Sequence, residues 1–201
     1  CFIVGNAIAF PLSVTIMPDK KFDYRAVVLV FLAISGLLIL LLLNRSHLPH
    51  RFSKQLSIRV GRPAPDFTFP DIEGNMISLS DYGNEVVLVN VWATWCPSCV
   101  EEMASMEKLY QQFKGENFEI LAVSIDALGQ KVVAPFMKTH RLTFPVLFDV
   151  KGSITTSYGT TGVPESFIVN KQGILVKKII GPLNWSHPNV LSFFADLIRQ
   201  Q

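Results

Sequence analysis

An α/β fold, with a central mixed sheet flanked by helices and an N-terminal β-hairpin extension, preceded by one transmembrane helix, is what this 201-residue sequence predicts. Three observations carry the prediction. Short apolar, β-branched runs alternate with helical patterns and end in a hairpin followed by a helix. Two cysteines, Cys96 and Cys99, sit where a buried strand gives way to a helix. Eighteen residues from Ala26 to Leu43 carry no charge.

That uncharged run comes first in the chain. Eighteen apolar residues reach the lower limit for crossing a bilayer, and a core helix of this length would show a polar face, which is absent here. Tyr24 and Arg25 before it, and Asn44 and Arg45 after it, suit the two interfaces. The organisation read from this is an N-terminal segment at 1–25, a transmembrane signal anchor at 26–43, a juxtamembrane tether at 44–60 and a folded domain at 61–201. The chain opens on Cys1, and Met17 is the expected initiator: Met17 to Arg25 then form a charged region ahead of an uncleaved anchor. The competing readings of this start are a lipidated Cys1 and a second, poorer span over Phe2 to Met17.

In the domain, Phe67–Phe69 and Met76–Leu79 alternate around the Gly-containing turn 71–75, which predicts a hairpin. Val86–Trp92 predicts a buried strand. After Cys96, Val100, Met103, Met106, Leu109, Tyr110 and Phe113 recur at helical spacing until Lys114-Gly115 stops the helix. A strand is expected at Phe118–Ile125, a helix from about Lys131 to His140, a strand at Phe144–Phe148 and a short helix at Ile154–Tyr158. Ser166–Val169 and Ile174–Ile179 flank the turn 170–173 as a second hairpin. An amphipathic helix, Asn189–Arg199, closes the chain.

The cysteine pair is the chemical core of the reading. At a helix N-terminus, unpaired N–H groups and the positive end of the helix dipole favour a thiolate, and the thiolate is the nucleophile. Cys96 takes that position, so Cys96 is the expected attacking thiol and Cys99 the resolving one. A zinc site needs four ligands and only two are clustered here; haem attachment needs a His after the second cysteine, where Val100 stands. A purely structural disulfide closing so short a ring restrains little chain entropy. The pair is therefore read as a redox-active disulfide, Cys96–Cys99, with no metal and no cofactor.

The formal charge of +2 hides an uneven distribution. Lys20, Lys21, Arg25, Arg45, Arg51 and Lys54 flank the apolar run and leave the rest of the chain slightly acidic, so no nucleic-acid partner is expected. Basic residues on both flanks leave the orientation of the span unsettled by charge alone.

Asn90-Val91-Trp92-Ala93-Thr94-Trp95-Cys96-Pro97-Ser98-Cys99, followed by Gly162-Val163-Pro164-Glu165-Ser166-Phe167-Ile168-Val169-Asn170, resembles the two signature blocks of the thioredoxin superfamily. The likeness is closest to its membrane-tethered branch of TlpA, ResA and CcmG (DsbE) type reductases, over about Arg62 to the C-terminus. The resemblance implies a thioredoxin-like fold and a thiol-disulfide oxidoreductase that reduces disulfides in exported proteins. It implies a cis Val163–Pro164 bond facing the dithiol, with the Val163 backbone pairing with a substrate chain. Trp95, Pro97, Val163, Pro164 and Glu165 are then the substrate-binding set. Glu102, one turn after Cys99 on the same face, matches a Glu that handles the cysteines' protons in ResA-like relatives; its other reading is a solvated first-turn carboxylate.

Further implications concern place and partners. The branch implies a cytoplasmic-membrane location with the catalytic domain on the extracytoplasmic side, apocytochrome c as a possible substrate, and a membrane electron donor of the CcdA or DsbD type. Three departures stand out. Asn90 replaces the buried Asp of ordinary thioredoxin, Ala104 stands where many relatives have a helix-kinking Pro, and Pro97-Ser98 lacks the His of the oxidase DsbA. The alternatives are a general TlpA-like reductase serving, for example, copper-site proteins, a disulfide-donating oxidase, and a peroxiredoxin. The last needs Pro and Thr or Ser where this chain has Val89 and Ala93.

Overall fold

The computed structural model describes Tyr24–Arg45 and residues 58–200. The chain divides into two compact units between Phe52 and Ser53. In the first, Tyr24–Arg45 is one uninterrupted helix, α1, whose residues from Val27 to Leu40 are exposed. Among the described residues, no helix is long and apolar enough to cross a membrane. Cys1, the expected start at Met17 and most of the tether lie outside the described residues.

The second unit is built on a five-stranded mixed sheet. Its strands are β3 (Val86–Trp92), β4 (Phe118–Ser124), β5 (Val146–Phe148), β6 (Glu165–Val169) and β7 (Leu175–Ile180), after a separate hairpin of β1 (Thr68–Pro70) and β2 (Met76–Ser78). The order across the sheet is β5-β4-β3-β6-β7. The β3–β4 and β4–β5 pairs are parallel, and β3–β6 and β6–β7 are antiparallel. The hairpin turn is held by Asp71, whose Oδ1 accepts from Glu73 N at 2.9 Å and Asn75 N at 2.8 Å, while Gly74 takes φ 90°.

The helices distribute by the handedness of their crossovers. Moving from β3 to β4 to β5 in one direction puts α2 (Pro97–Phe113) and α3 (Gln130–His140) on one face. There, with the terminal helix α5 (Pro188–Arg199), they bury Val86, Leu88, Ile120 and Ala122 of the sheet under Met103, Met106, Met137 and Phe194. The return from β5 to β6 places α4 (Ser153–Ser157) on the other face with the hairpin, where Phe67, Ile154 and Tyr158 cover Val87, Val89, Val91 and Phe167. Every residue of β3 is therefore buried, which is why it reads as an apolar run with Asn90 as its one polar member. Each such Val or Leu contributes about 1.5–3 kcal/mol of burial.

Element boundaries differ from expectation in small ways with plain causes. β5 starts at Val146 and not at Phe144, because Pro145 has no N–H to give the ladder. α2 runs unbroken through Ala104, as a residue with its N–H in place allows.

One half-buried carboxylate away from the dithiol makes stability depend on pH. Glu119 on β4 is pushed up to about 7 by burial and by the nearby Glu85, against a bond from Ile120 N–H and the charge of Lys114. Between its ordinary range and pH 7 the unfolded chain has released this proton while the folded chain retains it, so stability falls as pH rises across that window. After discounting for solvent access, the penalty is about 1–2 kcal/mol. Glu119→Gln is expected to raise the melting temperature at pH 8 by about 2–4 °C and to leave it unchanged at pH 4. Equal shifts at the two pH values would contradict this assignment.

Candidate active site

The site lies beyond the C-terminal end of β3, where the chain's crossovers diverge to opposite faces of the sheet. Its entry loop is fixed by Asp126 after β4, which accepts from Thr94 N at 2.9 Å and Thr94 Oγ1 at 2.7 Å. Ser124 Oγ donates to the same carboxylate at 2.8 Å. The loop therefore delivers Cys96 to the N-cap of α2 in an extended conformation.

Cys96 and Cys99 are joined as a disulfide with Cα atoms 5.3 Å apart. Cys96 Sγ accepts from Cys99 N–H at 3.2 Å, lies 3.4 Å from Ser98 Oγ and approaches the carbonyl oxygen of Val163 to 3.5 Å. In the reduced state the same N–H and hydroxyl are placed to stabilise a thiolate on Cys96. Cys96 is less open than an attacking thiol suggests, at 5% exposure, but Cys99 is at 0%. An incoming disulfide thus meets Cys96 first.

The expected neighbours fall into two groups. Trp95, 64% exposed, and Pro97 stand at the surface beside the dithiol. The Val163–Pro164 bond is cis, with Val163 half-buried and Pro164 buried. Glu165 departs from its expected place in the substrate-binding set. It is completely buried: Oε1 accepts from Thr161 N at 2.9 Å and Thr161 Oγ1 at 2.8 Å, and Oε2 lies 2.8 Å from Lys178 Nζ. Desolvation works to raise its pKa, but the bonds from Lys178 and Thr161 and the charge of Lys178 outweigh it and hold the carboxyl below its usual range. A carboxylate with no exposed surface is closed to direct contact with a substrate.

Glu102 is also buried, at 3% exposure, which removes the solvated first-turn reading. Its Oε1 accepts from Asn90 Nδ2 at 3.0 Å, and its Oε2 accepts from Leu183 N and Trp185 Nε1, each at 3.0 Å. Asn90 Nδ2 also donates to Ser166 Oγ at 2.9 Å, and Asn90 Oδ1 has no partner among the described residues. Burial raises the carboxyl's pKa above the ordinary range, against the three bonds that favour its charged form. A pocket of about 240 Å³ lined by Glu101, Glu102, Ser105, Pro182, Leu183 and Asn184 gives the carboxyl a way to solvent. The arrangement can take up and release a proton one helical turn from Cys99.

Asn90 thus does more than lack the charge of thioredoxin's Asp: it donates to Glu102. Trp185, Leu183 and Lys178 carry no local motif, and their parts in the site are set by contacts far along the chain.

A model of the AhpC/TSA family matches residues 60–178. The chain is 38% identical over 130 residues to the thiol-disulfide oxidoreductase ResA of Bacillus cereus (strain ATCC 10987 / NRS 248), covering 65% of this chain and 75% of that one. It is 33% identical over 150 residues to ResA of Bacillus subtilis (strain 168), covering 74% and 80%. Among solved structures, a protein assigned as the thiol:disulfide interchange protein DsbE of Chlorobium tepidum superposes with a TM-score of 0.61 at 30% identity. That match covers 71% of this chain and 96% of the other.

Proposed function

We propose, from the premise that this chain belongs to the AhpC/TSA family and is a thioredoxin-like thiol-disulfide oxidoreductase of the ResA and DsbE type, that it reduces disulfides in exported proteins outside the cytoplasm. The observation that carries the reading is the dithiol at the N-terminus of α2, facing the Val163 carbonyl and backed by the buried Glu102.

In the reduced protein, the Cys96 thiolate attacks one sulfur of a substrate disulfide, and the other substrate sulfur leaves as a thiolate that takes up a proton. The substrate is now joined to Cys96. Cys99 gives its proton to Glu102 and attacks Cys96 Sγ, so the second substrate sulfur leaves in turn and is protonated. Two electrons have moved: the substrate is a dithiol and Cys96–Cys99 a disulfide. A membrane dithiol donor of the CcdA or DsbD type then restores the reduced form.

Apocytochrome c, whose cysteines must be reduced before haem attachment, is the substrate class proposed first. Anchoring rests on the sequence of Ala26–Leu43, with Lys20, Lys21 and Arg25 on the cytoplasmic side. Disulfides accumulate outside the cytoplasm and need a dedicated reductant there. A peroxidase is disfavoured because Val89 and Ala93 are fully buried and supply no hydroxyl to a peroxide.

Electron direction is tested by equilibration against glutathione buffers. Pro97-Ser98 offers Cys96 a hydroxyl but no cation, so the expected potential lies nearer the roughly −270 mV of thioredoxin than the roughly −120 mV of DsbA. A value above about −160 mV would turn the assignment to disulfide donation. A C-terminal reporter active only after export is expected to give signal, and a silent fusion would refute the placement.

A further inference from the structure

We propose that the ion pair between the buried Glu165 and the half-buried Lys178 is a clamp that sets the position of the Val163 carbonyl opposite Cys96. On this view Glu165 and Lys178 are positioning residues for a polypeptide substrate, without touching it. The proposal rests on the reading of Cys96–Cys99 as a dithiol that reduces polypeptide disulfides.

The segment from Gly159 to Pro164 links α4 to β6 and presents Val163 to the dithiol. Thr161 and Gly162 within it are exposed, so its shape is not dictated by packing on both sides. Two ionic groups fix it from below. Lys178 Nζ donates to Gly159 O at 3.0 Å while lying 2.8 Å from Glu165 Oε2, and Glu165 Oε1 receives both the N–H and the hydroxyl of Thr161. The start and the middle of the segment are thus bound to one ion pair, and its last residue adjoins Glu165 in sequence.

The pair is rigidly seated. Glu165 opposes Ile180 and Phe167 opposes Lys178 in the β6–β7 ladder, so all four side chains share one face of the sheet. The Lys178 ammonium also lies 5.2 Å from the centroid of the Phe167 ring, which is itself completely buried. Stability alone is a poor reason for such a pair, because well-packed apolar residues often stabilise a core as well as a buried ion pair does. What an apolar pair lacks is direction. Four polar contacts with fixed donor and acceptor geometry hold the loop in one place, and a substrate strand pairing with Val163 needs that place held.

The test compares two substrates of the full chain, recycled by a small dithiol: a peptide closed by a Cys-x-x-Cys disulfide, and the small disulfide dithiodipyridine, which has no backbone to pair with Val163. In Glu165→Gln and in Lys178→Met, KM for the peptide is expected to rise about fivefold to tenfold while its kcat changes by less than about twofold. The reaction with dithiodipyridine is expected to lose far less. Lys178→Arg keeps the charge and is expected to restore most of the peptide affinity. Lys178, with its side chain 23% exposed, is the safer site for folding and carries the test if Glu165→Gln does not fold. An unchanged peptide KM in Lys178→Met overturns the proposal, as does an equal loss with both disulfides. Failure of the unaltered protein to reduce the peptide overturns the reductase reading itself.

Discussion

Cys99→Ala is expected to stop the reaction at a covalent complex between Cys96 and its substrate, and Cys96→Ser to abolish the reaction altogether, with a loss of about a thousandfold or more. The asymmetry follows from the geometry. Cys96 is the helix cap, meets the incoming disulfide and has the Cys99 N–H and the Ser98 hydroxyl directed at its sulfur. Cys99 is fully buried and joined to Cys96. Without Cys99 the first exchange proceeds and the second cannot, so one substrate molecule remains attached per protein. Mass spectrometry of the non-reduced complex measures this and identifies the trapped apoprotein. Alkylation of the reduced protein at mildly acidic pH is expected to label Cys96 well before Cys99, and the reverse order would exchange the two roles.

Glu102→Gln is expected to slow disulfide reduction near neutral pH by about tenfold to a hundredfold, the lower part of what proton transfer by a positioned group contributes. To accept the proton of Cys99, the carboxyl must be ionised. Burial raises its pKa, so activity should climb with pH through a point above the ordinary carboxylate range, and the variant should lack that limb. The fold should survive. The introduced amide oxygen can still accept from Leu183 N and Trp185 Nε1, and its NH₂ group can donate to Asn90 if that amide turns its unpartnered Oδ1 inward.

Stability provides the second readout on Glu102. Above about pH 4.5 the unfolded chain has released this proton while the folded chain holds it up to the raised native value, so the native carboxyl costs stability as pH rises through that window. The amide does not ionise, and the variant should lose less stability across the same range. An unchanged pH–rate profile would reduce Glu102 to a structural member of the core. An unchanged profile with the expected stability difference would leave the burial right and the proton-transfer role wrong.

The sequence alone was enough to identify the strands, most of the helix limits and the dithiol. Burial on both faces of β3 demands a mainly apolar run, helical packing of α2 demands Met103, Met106, Tyr110 and Phe113 at intervals of three and four, and a redox pair needs two cysteines one turn apart. Such signals are local, since each is a periodicity or spacing within one element. The environment of the carboxylates was decided by tertiary structure alone. Glu102 and Glu165 are single letters in their segments, and their partners lie on other elements: Asn90 on β3, Trp185 before α5, Lys178 on β7. Only when the chain closes does Glu102 lose its water and gain three donors, or Glu165 pass from an expected substrate contact to a buried anion under the Val163 loop. The physical reason is that a carboxylate's chemistry is set by its solvation and by the donors around it, and both belong to the folded neighbourhood and not to the residue.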